Sequence, residues 1–464
     1  MNDCMAELRK REFTRLDRGG HVYLDYTGGG LYGESQIREH SDLLNQAVLG
    51  NPHSDNPSSL ASTQYVETAR QHIRDFFRAN TEEYEVVFTS NASGALKLVG
   101  ESYLFDSGSR YVLTTDNHNS VNGIREFARA KGAEVLYVPL NDELRIDDTV
   151  LKKYLDGADK SKPNLFAFPA QSNFTGVKYP LAWIRQAQGL GYDVILDAAA
   201  FVPTSRLDLS QVKPDFVTVS FYKMFGFPTG VGALIAKRNA LSRLHRPWFA
   251  GGTVRFASAQ NKLHLLQPTG EAFEDGTVNY ISIAGVTTGL DFVNDVGIER
   301  INTHVNELTH VLLTELQKLK HSNGEPLVLI YGPITSENRG GTVACNILAP
   351  DGSEVDFKAV EWRANEQSIS LRTGCFCNPG AAEAAFKYSQ VETYRCFTEV
   401  VPQGFTLQQF SACMHGMPVG AVRISVGIAS NVDDINKLIG MLKTFIDCDP
   451  TPTTARELPE IVGG

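Results

Sequence analysis

Seven short, almost uninterrupted apolar runs constrain this chain more than any other feature. "YEVVFTS" (84–90) leads into the helical pattern "NASGALKLVGESYLF", and "RYVLTTD" (110–116) into "SVNGIREFARAKG". "EVLYVPL" (134–140), "NLFAFPA" (164–170), "DVILDAA" (193–199), "FVTVSF" (216–221) and "VGALIA" (231–236) continue the series. Runs with no polar alternation are strands buried on both faces. Their spacing by helices predicts an α/β domain built on a mostly parallel sheet. Such sheets collect ligands at the carboxyl ends of their strands, which is where this sequence keeps its unusual polar residues.

After residue 300 the texture changes. "INTHVNELTHVLLTELQKLK" sets Val305, Leu308, Leu312 and Leu319 on one helical face, and shorter runs follow: "PLVLIYG", "GTVACNIL", "SISLRTG" and "GAVRISVGI". A last helix, "VDDINKLIGMLKTFI", is opened by Asn431 as N-cap. These predict a smaller α+β domain, ended by the Pro/Thr-rich tail "DPTPTTARELPEIVGG". With 464 residues the chain is long enough for both. The net charge of −10 argues against nucleic-acid and anionic-membrane partners, and no apolar run approaches the roughly 20 residues of a membrane span. The N-terminus lacks the apolar core of a secretory signal, and acidic residues among its arginines argue against a mitochondrial leader, so a cytoplasmic protein is expected. The seven cysteines are odd in number and irregularly spaced, which reads as reduced thiols with no disulfide framework. No second close cysteine pair completes a zinc site around Cys375 and Cys377, so no metal is expected.

The sharpest local signal is "SFYKMFGFPTGVGALI" (220–235), where an apolar strand ends at Ser220, Tyr222 and Lys223 before a glycine-rich loop. Burial at a strand end disfavours the ammonium ion, so Lys223 is either a solvent-reaching lysine or a Schiff-base amine. Asp197, at the end of the preceding strand, is either a helix cap or a carboxylate with a task. Together the pair fits pyridoxal 5'-phosphate: the acid holds the pyridinium nitrogen and the amine binds the aldehyde carbon. The turn around Ser93 and Gly94, opening a helix, offers backbone N–H groups and a hydroxyl to the phosphate.

The motifs "YLDYTGGG", "FTSNASGA", "TDNHNS", "SNFTGV", "ILDAAA", "SFYKMFGFPTG", "FEDGT", "RTGCFCNPG" and "VRISVGI" run in the order found in class V aminotransferase-like cysteine desulfurases. Over residues 20–446 the chain resembles most the N-terminal desulfurase domain of the molybdenum cofactor sulfurases. The resemblance implies a fold-type I pyridoxal-phosphate transferase with a seven-stranded large-domain sheet. The implied division is an N-terminal segment (1–45) packing with the small domain, a large cofactor-binding domain (46–300), a small domain carrying the cysteine loop (301–448) and a tail or linker (449–464).

It also implies roles. Lys223 would be the cofactor-linking lysine, Asp197 the pyridine-nitrogen partner, His118 a ring-stacking proton relay and Asn173 a contact near the ring hydroxyl and substrate. Ser93, Ser220 and Tyr222 would hold the phosphate. Thr277 would reach the phosphate of a neighbouring subunit, since the family is homodimeric. Arg423 would grip the substrate carboxylate; an inward arginine between Val422 and Ile424 is expensive without an anion. Cys377 occupies the family's nucleophile position, on a mobile loop where Arg372 would favour its thiolate. Cys375 is a relay thiol or a small residue packed beneath the loop, and Cys345 is core.

Two positions depart from the desulfurase pattern. Ala200 stands where a glutamine is usual, and Tyr222 where a histidine usually precedes the lysine. The implied activity takes sulfur from L-cysteine as a persulfide on Cys377, releases L-alanine and sulfurates the molybdenum cofactor through a separate or missing C-terminal domain. That product activates enzymes of the xanthine dehydrogenase and aldehyde oxidase type. Alternatives are another class V chemistry (selenocysteine lyase, epimerase or aminotransferase), a stand-alone sulfur donor for a different acceptor, or a catalytically silent thiol scaffold.

Overall fold

The computed structural model describes residues 3–448; the 449–464 tail lies outside them. All seven apolar runs form strands of one sheet: β1 (Tyr84–Thr89), β2 (Arg110–Thr114), β3 (Glu134–Val138), β4 (Asn164–Pro169), β5 (Tyr192–Asp197), β6 (Phe216–Ser220) and β7 (Gly232–Lys237), in the order β1-β7-β6-β5-β4-β2-β3. Pairings are parallel except those of β7, which runs antiparallel to both neighbours. The central strands show no alternation of buried and exposed positions: every residue of β4 and β6 is buried. Two apolar layers, one on each face, account for that.

Beyond residue 300 the helix Ile298–Lys318 buries Val305, Leu308 and Leu312. The four shorter runs give β8 (Val328–Tyr331), β9 (Thr342–Ile347), β10 (Arg372–Gly374) and β11 (Ala421–Ser425), an antiparallel sheet ordered β8-β9-β11-β10. Cys345 is fully buried in β9, and burial pushes its thiol up to about 12. Asn431 caps the helix Val432–Leu442, its side chain accepting from the Asp434 N–H at 2.9 Å. The N-terminal segment joins this part: Val22–Tyr23 pairs in parallel with Ile369–Ser370, and Asp25 bridges to Ser425.

The segment then turns toward Lys223. The Gly30 N–H donates to the Tyr222 carbonyl at 3.0 Å, and a Cβ at Gly30 would lie 2.8 Å from the Lys223 carbonyl oxygen. We expect Gly30→Ala to cost about 1–3 kcal/mol through this overpacking. The check is the midpoint of denaturant unfolding; an unchanged midpoint would show that residues 28–30 relax freely.

The reading of the cysteines needs correction. Cys396 and Cys413 form a disulfide, with Cα atoms 5.7 Å apart, joining the helices Gln390–Val400 and Leu407–Cys413. Its partners are set by the packing of two helices around Phe410 and Met414, which the spacing of an odd set of cysteines does not encode. Cys4, Cys345, Cys375, Cys377 and Cys448 are free.

Candidate active site

The carboxyl ends of β5 and β6 open into a cleft lined among others by Ser93, His118, Asn173, Asp197, Ser220, Tyr222 and Lys223. Seven of the ten residues singled out from the sequence therefore meet in one place. Asp197 ends β5, and Lys223 lies on the short helix Phe221–Phe225 that follows β6 directly. Adjacent parallel strands thus deliver both groups to one end of the sheet.

Their hydrogen bonding leaves reactive atoms free. Asp197 Oδ1 accepts the Ala199 N–H at 3.0 Å, while among the described residues Oδ2 has no donor and Lys223 Nζ no hydrogen-bond partner. Burial pushes the Lys223 amine below the usual lysine range; Asp197 opposes the shift, and Arg423 and Arg372 add to it. His118 is half-buried and caps the turn Asn119–Asn122, its Nδ1 accepting the Ser120 N–H at 3.1 Å. That acceptor role puts the ring proton on Nε2. Burial lowers the His118 pKa, so the neutral form is favoured.

The helix Ala92–Ser102 also begins at the cleft. Asn91 caps it, and its Ala92 N–H donates to Ser220 Oγ at 2.9 Å. Ser220 therefore ties β6 to the helix start, and Ser93 Oγ pairs with Ser120 Oγ at 2.5 Å. A positive helix end beside hydroxyls is the chemistry an anion site uses. Tyr222 is half-buried, and burial raises its phenol pKa.

Arg423, Cys377 and Thr277 are placed differently. Arg423 is buried on β11 and has found an anion within the chain: Nη2 donates to Asp25 Oδ1 at 3.1 Å and Nη1 to the Asn173 carbonyl at 3.0 Å. Its Nε is buried without a partner among the described residues, and burial lowers its pKa to about 10. Arg372 sits directly across the sheet from it, a like-charge pair that costs stability unless a counter-ion intervenes. Asp25 is that counter-ion, taking Arg372 Nη2 at 2.7 Å. Arg372 is thus held by Asp25, and this bond is the main cause of its raised pKa. The sequence reading missed Asp25. It also missed Gly28, where a Cβ would fall 2.5 Å from Asp25 Oδ2 and 2.6 Å from Arg372 Nη2.

Cys377 is half-buried, near enough to Lys223, Arg372 and Arg423 to act on their charges. Its loop is docked, where glycine and proline predict mobility. Asn119 N–H holds the Cys377 carbonyl at 2.7 Å, and Asn173 Nδ2 holds the Phe376 carbonyl at 2.7 Å. Cys375 is exposed rather than packed beneath the loop. Thr277 is exposed and outside the cleft, its hydroxyl 3.3 Å from Asn51 Nδ2. Ala200 does line the cleft, and so does Gln171, with a buried Oε1 that has no partner. No sequence signal marked Gln171.

The class V aminotransferase family matches residues 22–438, and the chain belongs to it. Its cofactor is accordingly pyridoxal 5'-phosphate, on a fold of type I. The residues present fit that group: a free carboxylate oxygen, a neutral-leaning amine, a helix N-terminus and serine hydroxyls line one cleft.

Within the family, molybdenum cofactor sulfurases are similar over almost the whole chain. Those of Solanum lycopersicum and Homo sapiens are 36% identical to it over 94% of its length, and it covers 57% and 50% of theirs. The chain thus spans little more than half of these relatives. The fold is shared with solved structures of a cysteine desulfurase from Thermococcus onnurineus NA1 (TM-score 0.78, 23% identity, 95% of this chain and 98% of that one) and of cysteine desulfurase CsdA from Escherichia coli (TM-score 0.74, 20% identity, 96% and 98%). No helix among the described residues is long and apolar enough to cross a membrane.

Proposed function

We propose that this chain is a cysteine desulfurase that moves the sulfur of L-cysteine onto Cys377, leaving L-alanine, for sulfuration of the molybdenum cofactor. The observation that carries it is the docking of the Cys377 loop onto the cleft that holds Lys223 and Asp197, through Asn173 on the Phe376 carbonyl and Asn119 on the Cys377 carbonyl. The bound cofactor supplies an electron-accepting ring that makes the substrate Cα–H acidic. Asp197 Oδ2, free of any donor among the described residues, would hold a proton at the ring nitrogen. Lys223 Nζ, with no competing hydrogen-bond partner among the described residues, takes and returns the Cα proton. Ser93, Ser220, Tyr222 and the first turn of Ala92–Ser102 would hold the phosphate, and His118 and Asn173 would contact the cofactor from the same cleft. Arg423, held in place by Asp25 and the Asn173 carbonyl, is the arginine assigned to the substrate α-carboxylate. The Cys377 thiolate attacks the substrate sulfur. The S–S bond forms as the Cβ–S bond breaks, and L-cysteine plus thiol become L-alanine plus persulfide.

The acceptor reading rests on the sulfurase relatives. The domain division at 45, 300 and 448 and a cytosolic location belong to the same reading. The test is to incubate the protein with L-cysteine and map sulfur by mass spectrometry. One extra sulfur on Cys377 with stoichiometric alanine is expected; alanine with no sulfur on Cys377 rejects the assignment.

The working unit is a homodimer, supported by an apolar hairpin near Thr277. Phe256 faces Leu265 across the strands Val254–Ser258 and Leu263–Leu266, and with Leu263 both are exposed. Exposed apolar surface of this kind marks an interface. Phe256→Asp combined with Leu265→Lys should yield a monomer in sedimentation and weaken the hold on the cofactor phosphate, because the partner's Thr277 is then missing. A fully active monomer would remove Thr277 from the site.

A further inference from the structure

Asp116 takes no part in the chemistry above, yet it is a fully buried carboxylate within two residues of His118. Buried carboxylates persist where donors satisfy them. Ser172 Oγ donates to Oδ1 at 2.9 Å and Tyr179 OH to Oδ2 at 2.7 Å, both from the segment that follows β4. The third donor comes from 262 residues away: Asn378 Nδ2, at 2.6 Å from Oδ1. Asn378 immediately follows Cys377 and is itself fully buried. It also donates to Asn173 Oδ1 at 2.9 Å, and its own Oδ1 caps the helix Pro379–Ala385 through the Ala381 N–H. The helix start is docked equally closely, since a Cβ on Gly380 would fall 2.2 Å from the Thr115 carbonyl oxygen.

The backbone held by these contacts is one that side chains rarely adopt. Phe376 and Cys377 both sit in the left-handed region, at φ 57° and 54°. Two consecutive non-glycine residues persist there when their surroundings over-determine them. Here the surroundings are Asn173 on the Phe376 carbonyl, Asn119 on the Cys377 carbonyl and Asp116 on Asn378. Burial raises the Asp116 pKa and its three donors oppose that, Asn378 among them.

We propose that Asp116 is a positioning residue: through Asn378 it latches the Cys377 loop onto the cleft and fixes the thiol for attack. The latch is reversible, because Ser172 and Tyr179 still satisfy the carboxylate when Asn378 leaves. A loop that can dock for persulfide formation and undock for delivery to a larger acceptor needs this arrangement. The proposal rests on Cys377 as the nucleophile, and its test reads the loop separately from the chemistry.

The test compares wild type, Asn378→Ser and Asp116→Asn as cofactor-loaded protein. Serine keeps the helix cap but is too short to reach Asp116; asparagine removes the charge that strengthens the latch. The rate of Cys377 carbamidomethylation by iodoacetamide is followed by peptide mapping, with exposed Cys375 as internal reference. Loss of a hydrogen bond to a charged group predicts about ten- to hundredfold faster labelling of Cys377 relative to Cys375. Alanine formation from L-cysteine falls, while the visible spectrum stays near wild type. Unchanged relative labelling in both variants overturns the latch. Wild type that still forms alanine at full rate after Cys377 is blocked overturns the nucleophile instead.

Discussion

Lys223→Ala is expected to lower alanine formation from L-cysteine by about 10²- to 10⁴-fold, the range for removing a positioned acid–base group. The structure gives the reason for so large a loss. Nζ lies at the carboxyl edge of the sheet with no hydrogen-bond partner among the described residues, so it is free to bond whatever occupies the cleft. Burial favours its neutral form, which is both the proton acceptor and the amine that links to an aldehyde. The accompanying readout is the visible absorption of the purified protein, which should move or vanish in Lys223→Ala. Lys223→Arg should be equally inactive, because a guanidinium keeps its charge where an ammonium group gives it up. Small primary amines added to Lys223→Ala should restore part of the rate. Full activity in Lys223→Ala would exclude the whole cofactor assignment, whatever the role of Cys377.

The sheet and the floor of the site are legible because burial on two faces writes itself as continuous apolar runs. Two of these runs end in a polar residue that lines the cleft, and that is how Asp197 and Ser220, with Lys223 just beyond, stand out. What stays hidden are pairings between residues hundreds of positions apart. The rule that a buried arginine needs an anion holds for Arg423, but the anion the fold provides is Asp25, 398 residues earlier. The same carboxylate takes Arg372, which local reading places with the thiol. Asp116 and Asn378 carry no signal either; an aspartate before a histidine and an asparagine after a cysteine look like ordinary turn residues until the fold joins them. Glycine and proline around Cys377 suggest mobility. In the fold, Gly380 serves close approach to Thr115, and Pro379 starts a helix, so the same residues hold the loop still.

Cys377→Ser should abolish persulfide formation and reduce alanine release by about 10³-fold or more, as expected when a nucleophile is lost outright. The hydroxyl matches the thiol in shape, so the loop contacts through the Phe376 and Cys377 carbonyls and Asn378 should survive. What is lost is the sulfur nucleophile, for which a protonated serine hydroxyl is a poor substitute. Because Lys223, Asp197 and Arg423 are untouched, the variant should still bind cofactor and L-cysteine, and the spectral change on adding L-cysteine should appear without turnover. This separation distinguishes the desulfurase from its relatives in reaction type. A lyase, epimerase or aminotransferase on the same fold would keep its rate in Cys377→Ser, because its chemistry ends at Lys223. Cys375→Ser is the control: that thiol is exposed on the same turn, and its surroundings raise its pKa rather than ready it as a thiolate. Its loss should leave alanine release and the sulfur on Cys377 unchanged. If instead Cys375→Ser lost activity and Cys377→Ser kept it, the attacking sulfur would be the exposed one, and the docked geometry of Cys377 would serve the loop alone.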